Sequence, residues 1–385
     1  MKITGIICEY NPLHRGHKKQ LDTIRAQNPD IGIVCLMSGN YVQRGAPAIV
    51  DKSLRAKAAV QSGADLVLEL PITAALSSAE GFAATGVSIL SSFCDRLCFG
   101  AETADEKKLL ELADALLSED FSAALRKELE QGISFPAARQ AALESMGLDA
   151  ALLQKPNNIL AVEYCKAILQ QHSAMEIMPI FRAGDYHDPQ ADTDNPSATA
   201  VRALMAGKEP WECFVPDETI SCFENAAIHT MQAGEKAILA KLRTMTDAEF
   251  EALPYGSEGL WRKLMHASRK ETCLENIIAA TKSKRYTRTR LDRMVMCAFL
   301  EITRQMLEQP VPYVRVLAFN DRGRDILKHA RLQGTFLNAG QAVDDPYQAL
   351  EDRCGALYSL FAQTGDEAPD AERNRRVIYI GGEQR

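Results

Sequence analysis

Ile3-Thr4-Gly5-Ile6-Ile7-Cys8-Glu9-Tyr10-Asn11-Pro12-Leu13-His14-Arg15-Gly16-His17 decides the reading of this chain. An apolar run with the character of a buried strand meets a turn at Asn11-Pro12-Leu13. An H-x-G-H element follows and opens a helix expected from Gly16 to Gln27. Gly16 allows the backbone to come close to a phosphate. The free N–H groups and positive dipole end of the helix suit an anion. Two imidazoles can donate to phosphoryl oxygens as charge moves onto a leaving group. Taken alone, H-x-G-H is also the mark of a helix start that carries two histidines. Its place directly after a first strand favours a nucleoside triphosphate site.

The next segments repeat the strand and helix alternation. Strands are expected at 31–37, 65–70 and 96–99, with helices at 53–63 and 79–93 between them. Continuous apolar strands separated by helices imply a parallel sheet covered on both faces. Ligands of such sheets bind beyond the carboxyl ends of the strands, where Ser38-Gly39-Asn40 and Gly100 also fall. A further helix over 159–171 and a strand over 175–181 lead to Arg182 and a polar loop. The fold class expected is α/β. A Rossmann-like nucleotidyltransferase domain with a parallel sheet (1–215) precedes a mainly helical region (216–385) that contains a small α/β segment. The polar stretch 364–374 reads as a mobile loop.

Composition sets the class more than the function. The chain has 385 residues, 46% hydrophobic and 25% charged, with net charge −7. That is ordinary globular usage, and it does not announce a nucleic-acid partner. No apolar run reaches the roughly 18 residues of a membrane span, and no signal peptide is visible. Ten scattered cysteines, some inside apolar stretches, form no zinc-like spacing. The expectation is a cytoplasmic protein with no dedicated metal site and no membrane partner.

Ser197-Ala198-Thr199-Ala200-Val201-Arg202 is the second element. By itself it is a helix cap with a surface arginine. Paired with H-x-G-H it resembles the adenylyltransferase superfamily pattern H-x-G-H … S-x-T-x-x-R. Three further strings extend the likeness: 9–17, Met37-Ser38-Gly39-Asn40-Tyr41-Val42-Gln43-Arg44-Gly45, and 62–71. Together with Lys155-Pro156-Asn157-Asn158, Asp185-Tyr186-His187-Asp188 and 283–290, they are very similar to the bacterial tRNA(Met) cytidine acetate ligase family.

The resemblance implies a two-step ligase. Acetate attacks the α-phosphate of ATP to give acetyl-adenylate. N4 of the wobble cytidine of elongator tRNA(Met) then takes the acetyl group, giving N4-acetylcytidine. The ATP site implied comprises Ile7, Cys8, Glu9, Tyr10, Asn11, Pro12, Leu13, His14, Arg15, Gly16, His17, Lys18, Lys19 and Gln20. Gly100, Asn157, Asn158 and Arg182 add to it, and Ser197 and Thr199 are read as phosphate donors. His14, His17 and Arg202 are the expected catalytic residues, with Mg2+ only as counter-ion to ATP. His187 and Asp188 are candidate bases by residue type alone, and loop capping explains them better.

Lys282, Lys284, Arg285, Arg288, Arg290 and Arg293, against Asp292 alone, give a local charge of +5. Such a run is either a solvated helix face or a landing surface for tRNA phosphates. Tyr286 offers a flat face for stacking. Arg44, Lys52 and Arg55 read equally as surface ion pairs or phosphate contacts, with Tyr41 at the tip of their loop. The competing function is another adenylyl- or cytidylyltransferase acting on a small phosphate-bearing metabolite. A non-catalytic RNA adaptor would need decayed motifs, and these are intact.

Overall fold

The computed structural model describes residues 1–182, 196–283, 286–331, 334–364 and 368–381. The main sheet takes five strands from the first half of the chain: β1 (Ile3–Cys8), β2 (Gly32–Ser38), β3 (Leu66–Leu70), β4 (Arg96–Ala101) and β5 (Glu176–Phe181). They are mutually parallel, and β1 lies between β2 and β4. The register runs from Ile3 opposite Gly32 to Cys8 opposite Met37. Residues of β1 to β3 are apolar at nearly every position because both faces of the sheet are covered. On one face pack α1 (Arg15–Gln27) and α2 (Lys52–Gln61), which share a core with Ile6. On the other pack α3 (Ala79–Ser91) and α4 (Pro156–Gln170), which share a core with Ile3 and Ile7.

The sheet does not end with the first half of the chain. Strands β6 (Val314–Phe319), β7 (Phe336–Asn338) and β8 (Ile378–Tyr379) come from the last quarter. The order across the sheet is β8-β6-β3-β2-β1-β4-β5, with β7 on β6. β6 joins β3 antiparallel, with Leu66 opposite Phe319. A boundary at 215/216 therefore does not separate two layers. The chain leaves the sheet, builds a helical body, and returns to complete the sheet edge. The switch in strand order falls at β1 and β4, so the carboxyl ends of those strands open onto a crevice.

The helical body includes Met231–Thr244, Leu260–Lys270, Leu274–Thr281 and α6 (Arg288–Leu300). Its core takes in Tyr41, Tyr358 and Phe361. The sequence put Tyr41 at a loop tip. It is instead 1% exposed, and its hydroxyl donates to Cys354 O at 3.0 Å. Its ring meets Tyr358 edge-on at 5.9 Å. A buried aromatic with a satisfied hydroxyl pins the loop after β2 to the helical body.

Lys52 and Arg55 are not surface residues either. Lys52 Nζ bridges Glu69 (2.7 Å) and Glu372 (2.6 Å) while almost fully buried. Burial, with Glu372 and Glu351 nearby, lifts the Glu69 carboxyl to about 7 despite Lys52. Glu372 is the more firmly ionised partner, since Arg375 also donates to it at 2.9 Å. Glu372 and Arg375 thus form a buried clamp with Lys52 and Asp51, within a stretch where the sequence suggested a mobile loop. Among the described residues no helix is long and apolar enough to cross a membrane. All ten cysteines are free thiols.

Candidate active site

The carboxyl end of β1 lies in a cleft of about 790 Å³. The chain turns there through Tyr10, a left-handed residue at φ +42°. Ile7, Cys8, Glu9, Tyr10 and Asn11 line the cleft from β1 and its turn. His14, Gly16, His17, Lys19 and Gln20 line it from α1.

The two histidines form the start of α1. Gly16 N donates to His14 Nδ1 at 3.1 Å, and His14 N donates to His17 Nδ1 at 3.3 Å. The rings stack at 3.7 Å. Because both Nδ1 atoms accept backbone N–H groups, both protons sit on Nε2. His14 Nε2 is buried with no hydrogen-bond partner. Burial first, then Arg182 and Arg202, holds His14 down at about 3. Burial, then His14 and Arg182, holds His17 well below the usual histidine range. Both imidazoles are therefore neutral donors at neutral pH, ready for an anion.

This neutrality has a testable sign. The unfolded chain takes up a proton on His14 below about 6.5, whereas the fold resists it until about 3. Unfolding therefore binds a proton in that window, and stability falls as pH drops through it. His14→Gln removes this proton uptake. Urea midpoints at pH 6.5 and 4.5 should show a smaller loss for the variant than for the unaltered protein. Parallel losses would mean that His14 is not held neutral.

Arg202 reaches the same turn from α5 (Ala198–Gly207). Its Nη1 donates to Asn11 O at 2.8 Å and its Nη2 to Thr199 Oγ1 at 3.1 Å. Ser197 caps the helix by accepting from Ala200 N at 3.0 Å, and it lines the cleft with Arg202. The two motifs, far apart in sequence, meet at one point. Gly100, Asn157 and Arg182 also line the cleft, and the Arg182 charge acts on both histidines. Asn157 Nδ2 donates to Glu102 at 2.8 Å.

Several residues of the expected ATP set point elsewhere. Pro12 and Leu13 are buried beneath the turn. Arg15 leaves α1 on another side, donating to Cys213 O (2.7 Å) and Asp217 (2.8 Å). Lys18 pairs with Asp22 one turn on. Helical geometry explains both, since one face of α1 cannot present consecutive residues to one ligand. Asn158 is 1% exposed and accepts from Thr103 N at 3.0 Å, so it shapes the loop after β4. Thr199 orients Arg202 and is not among the residues lining the cleft.

The basic stretch differs most from expectation. Arg288 is paired with Glu275 (2.7 Å) and Asp292 (2.9 Å). Arg290 donates to Tyr255 O and Ser257 and lies over the Tyr286 ring at 4.8 Å. The Tyr286 hydroxyl donates to Glu258 at 2.7 Å. Arg293 is 8% exposed, so it is not part of a solvated surface. Lys282 is exposed; Lys284, Arg285, His187 and Asp188 lie outside the described residues. The start of α6, with Thr287, Thr289 and Arg293, lines the same cleft as the histidines. A helix read as a solvated face or a tRNA landing surface is thus also a wall of this cleft. Sequence reasoning also missed Phe135, Arg139 and Phe181 on the cleft wall. Phe135 and Phe181 are 51% and 65% exposed, and no periodicity marks them.

A family model described as HIGH Nucleotidyl Transferase matches residues 1–372. The tRNA(Met) cytidine acetate ligase of Clostridium novyi (strain NT) is 36% identical over 402 residues, covering 99% of this chain and 100% of that protein. The ligase of the same name from Clostridium perfringens (strain SM101 / Type A) is 35% identical, covering 94% and 96%. Among solved structures, apo Thermotoga maritima TmcAL superposes with a TM-score of 0.91 at 27% identity, over 99% of this chain and all of that one. The same protein bound with alpha-thio ATP gives a TM-score of 0.87, at the same identity and coverage.

Proposed function

Because this chain belongs to the tRNA(Met) cytidine acetate ligase family of HIGH nucleotidyl transferases, we propose that its cleft couples ATP cleavage to acetylation of a tRNA cytidine in two steps. The enzyme is an ATP-binding ligase that modifies tRNA. In the first step an acetate oxygen attacks the α-phosphorus, and pyrophosphate leaves. In the second, N4 of the wobble cytidine of elongator tRNA(Met) attacks the acetyl carbonyl, and AMP leaves.

One observation carries the first step: the buried, partnerless Nε2–H of His14, beside His17 and Arg202. A buried donor without an acceptor is costly. A phosphate oxygen supplies the acceptor, and the donor gains most as charge builds on the bridging oxygen. Acetate is a competent nucleophile at neutral pH, so this step needs position and charge stabilisation but no base. His14, His17, Arg202 and Ser197 hold the triphosphate. Mg2+ enters as its counter-ion, without a protein cage of its own. The wobble base must leave its stack to reach the cleft, and the cytoplasm supplies ATP, acetate and tRNA together.

Incubation with ATP, labelled acetate and total bacterial tRNA, followed by nucleoside analysis, tests the reading. Label in N4-acetylcytidine supports it. Its absence under every ATP and magnesium condition overturns it. AMP appearing on a small phosphate-bearing metabolite would favour nucleotidyl transfer instead.

The helical body is the proposed tRNA platform, with Lys282, Lys284 and Arg285 binding its phosphates. Arg288 and Arg290 contribute less, because protein acceptors already hold them. Lys284→Ala with Arg285→Ala should weaken tRNA binding and flatten the salt dependence by about one unit for each phosphate no longer neutralised. ATP titration should be unaltered. A filter-binding slope equal to that of the unaltered enzyme would remove these residues from the interface.

A further inference from the structure

We propose that Arg293 is the receptor for the acyl carboxylate, holding acetate for attack on the α-phosphorus; this rests on the acetate-ligase reading above. Arg293 is the buried member of the arginines that line the cleft, at 8% exposure. Its Nε has no hydrogen-bond partner. Its Nη1 donates to Gln43 O at 3.3 Å, and its guanidinium lies 5.1 Å from the Tyr255 ring centroid. Among the described residues no carboxylate forms an ion pair with it, and the adjacent Asp292 is turned to Arg288. Arginine stays ionised in proteins. A buried guanidinium met by a carbonyl and a tyrosine lacks its counter-charge. An anion that arrives with the reaction supplies it.

Position selects the anion. Gln43 N donates to Glu9 at 2.9 Å and Gln43 Nε2 to Ser77 O at 3.4 Å. Arg293 is therefore tied to the end of β1 and to the start of α3. That helix packs with Ile7 on one face of the sheet, whereas α1 and its histidines lie on the other. In an in-line displacement the nucleophile and the leaving group stand on opposite sides of the phosphorus. His14, His17 and Arg202 hold the pyrophosphate side, which leaves the Arg293 side for the nucleophile. Ile7, Ala79 and Phe82 line the cleft there and suit a methyl group. A carboxylate pairs with arginine through Nε and a terminal nitrogen. In the step itself, one carboxylate oxygen forms the bond to the α-phosphorus with its own electron pair. The bond from that phosphorus to the bridging oxygen breaks, and its electrons leave with pyrophosphate. No proton moves.

Arg293→Gln and Arg293→Lys in the full-length enzyme test this. Labelled acetate incorporation into tRNA is followed against acetate concentration, with ATP and tRNA affinities titrated separately. Synthetic acetyl-adenylate is supplied as an alternative donor, which bypasses the first step. For Arg293→Gln, kcat/KM for acetate should fall about a hundredfold, chiefly through KM, as the loss of a paired charge-assisted hydrogen bond implies. ATP and tRNA affinities should hold, and transfer from acetyl-adenylate should run near the unaltered rate. Arg293→Lys keeps the charge without the paired donors and should fall between the two. If the glutamine variant does not fold, the lysine variant decides, and an unchanged acetate KM overturns the proposal. Lost transfer from acetyl-adenylate together with weaker tRNA binding would make Arg293 an RNA-phosphate ligand. Weaker ATP binding would make it a triphosphate ligand. Failure of the unaltered enzyme to use either donor would instead sink the acetate-ligase reading itself.

Discussion

His17→Ala and Arg202→Ala enzymes should remain folded and lose about a hundred- to thousandfold in turnover, or roughly 3 to 4 kcal/mol of transition-state stabilisation for each donor. ATP affinity should change far less, because both groups act most strongly on charge that develops as pyrophosphate leaves. Arg202 is held ready by Asn11 O and Thr199, so its guanidinium needs no rearrangement on binding. His17 also accepts the His14 N–H, so its removal costs the start of α1 about 1 kcal/mol as well. Steady-state rates, with ATP titration alongside, separate the two effects. Near-normal turnover in either variant would take that residue out of the mechanism.

Arg55→Met should lower stability by about 4 kcal/mol, read as a shift of the urea midpoint. Arg55 is 0% exposed and meets no carboxylate partner among the described residues. Its Nε donates to Val50 O at 2.8 Å, and its Nη1 donates to Glu9 O at 2.7 Å and Ser38 O at 3.1 Å. Its Nη2 reaches Gly39 O. One guanidinium thus gathers the ends of β1 and β2 and the turn before α2. Methionine fills similar volume yet leaves several buried carbonyls without donors. Because Glu9 lies at the cleft, ATP binding should weaken with stability. A midpoint within error of the unaltered protein would show that these carbonyls find other donors.

The pairing of His14 and His17 with Ser197 and Arg202 was read from the resemblance to a family pattern, whereas the sequence by itself determined the strand, turn and helix around H-x-G-H and the parallel character of the first strands. Those signals are local: apolar runs, caps and glycines act within one element, and their physics is complete within a few residues. The basic count between Lys282 and Arg293 was equally legible, but its meaning was not. Charge in a sequence does not say which groups will stand opposite it, and only the packed structure shows Arg288 on Glu275 and Arg293 sealed into the cleft. The same holds for Arg15 inside the motif and Lys18 just past it, whose side chains pair with Asp217 and Asp22. Only the tertiary structure joined Lys52 to Glu372, 320 residues away, and brought Val314–Phe319 back beside β3. Burial is collective. Whether a lysine, arginine or tyrosine faces water depends on what the rest of the chain places against it, and no local pattern records that.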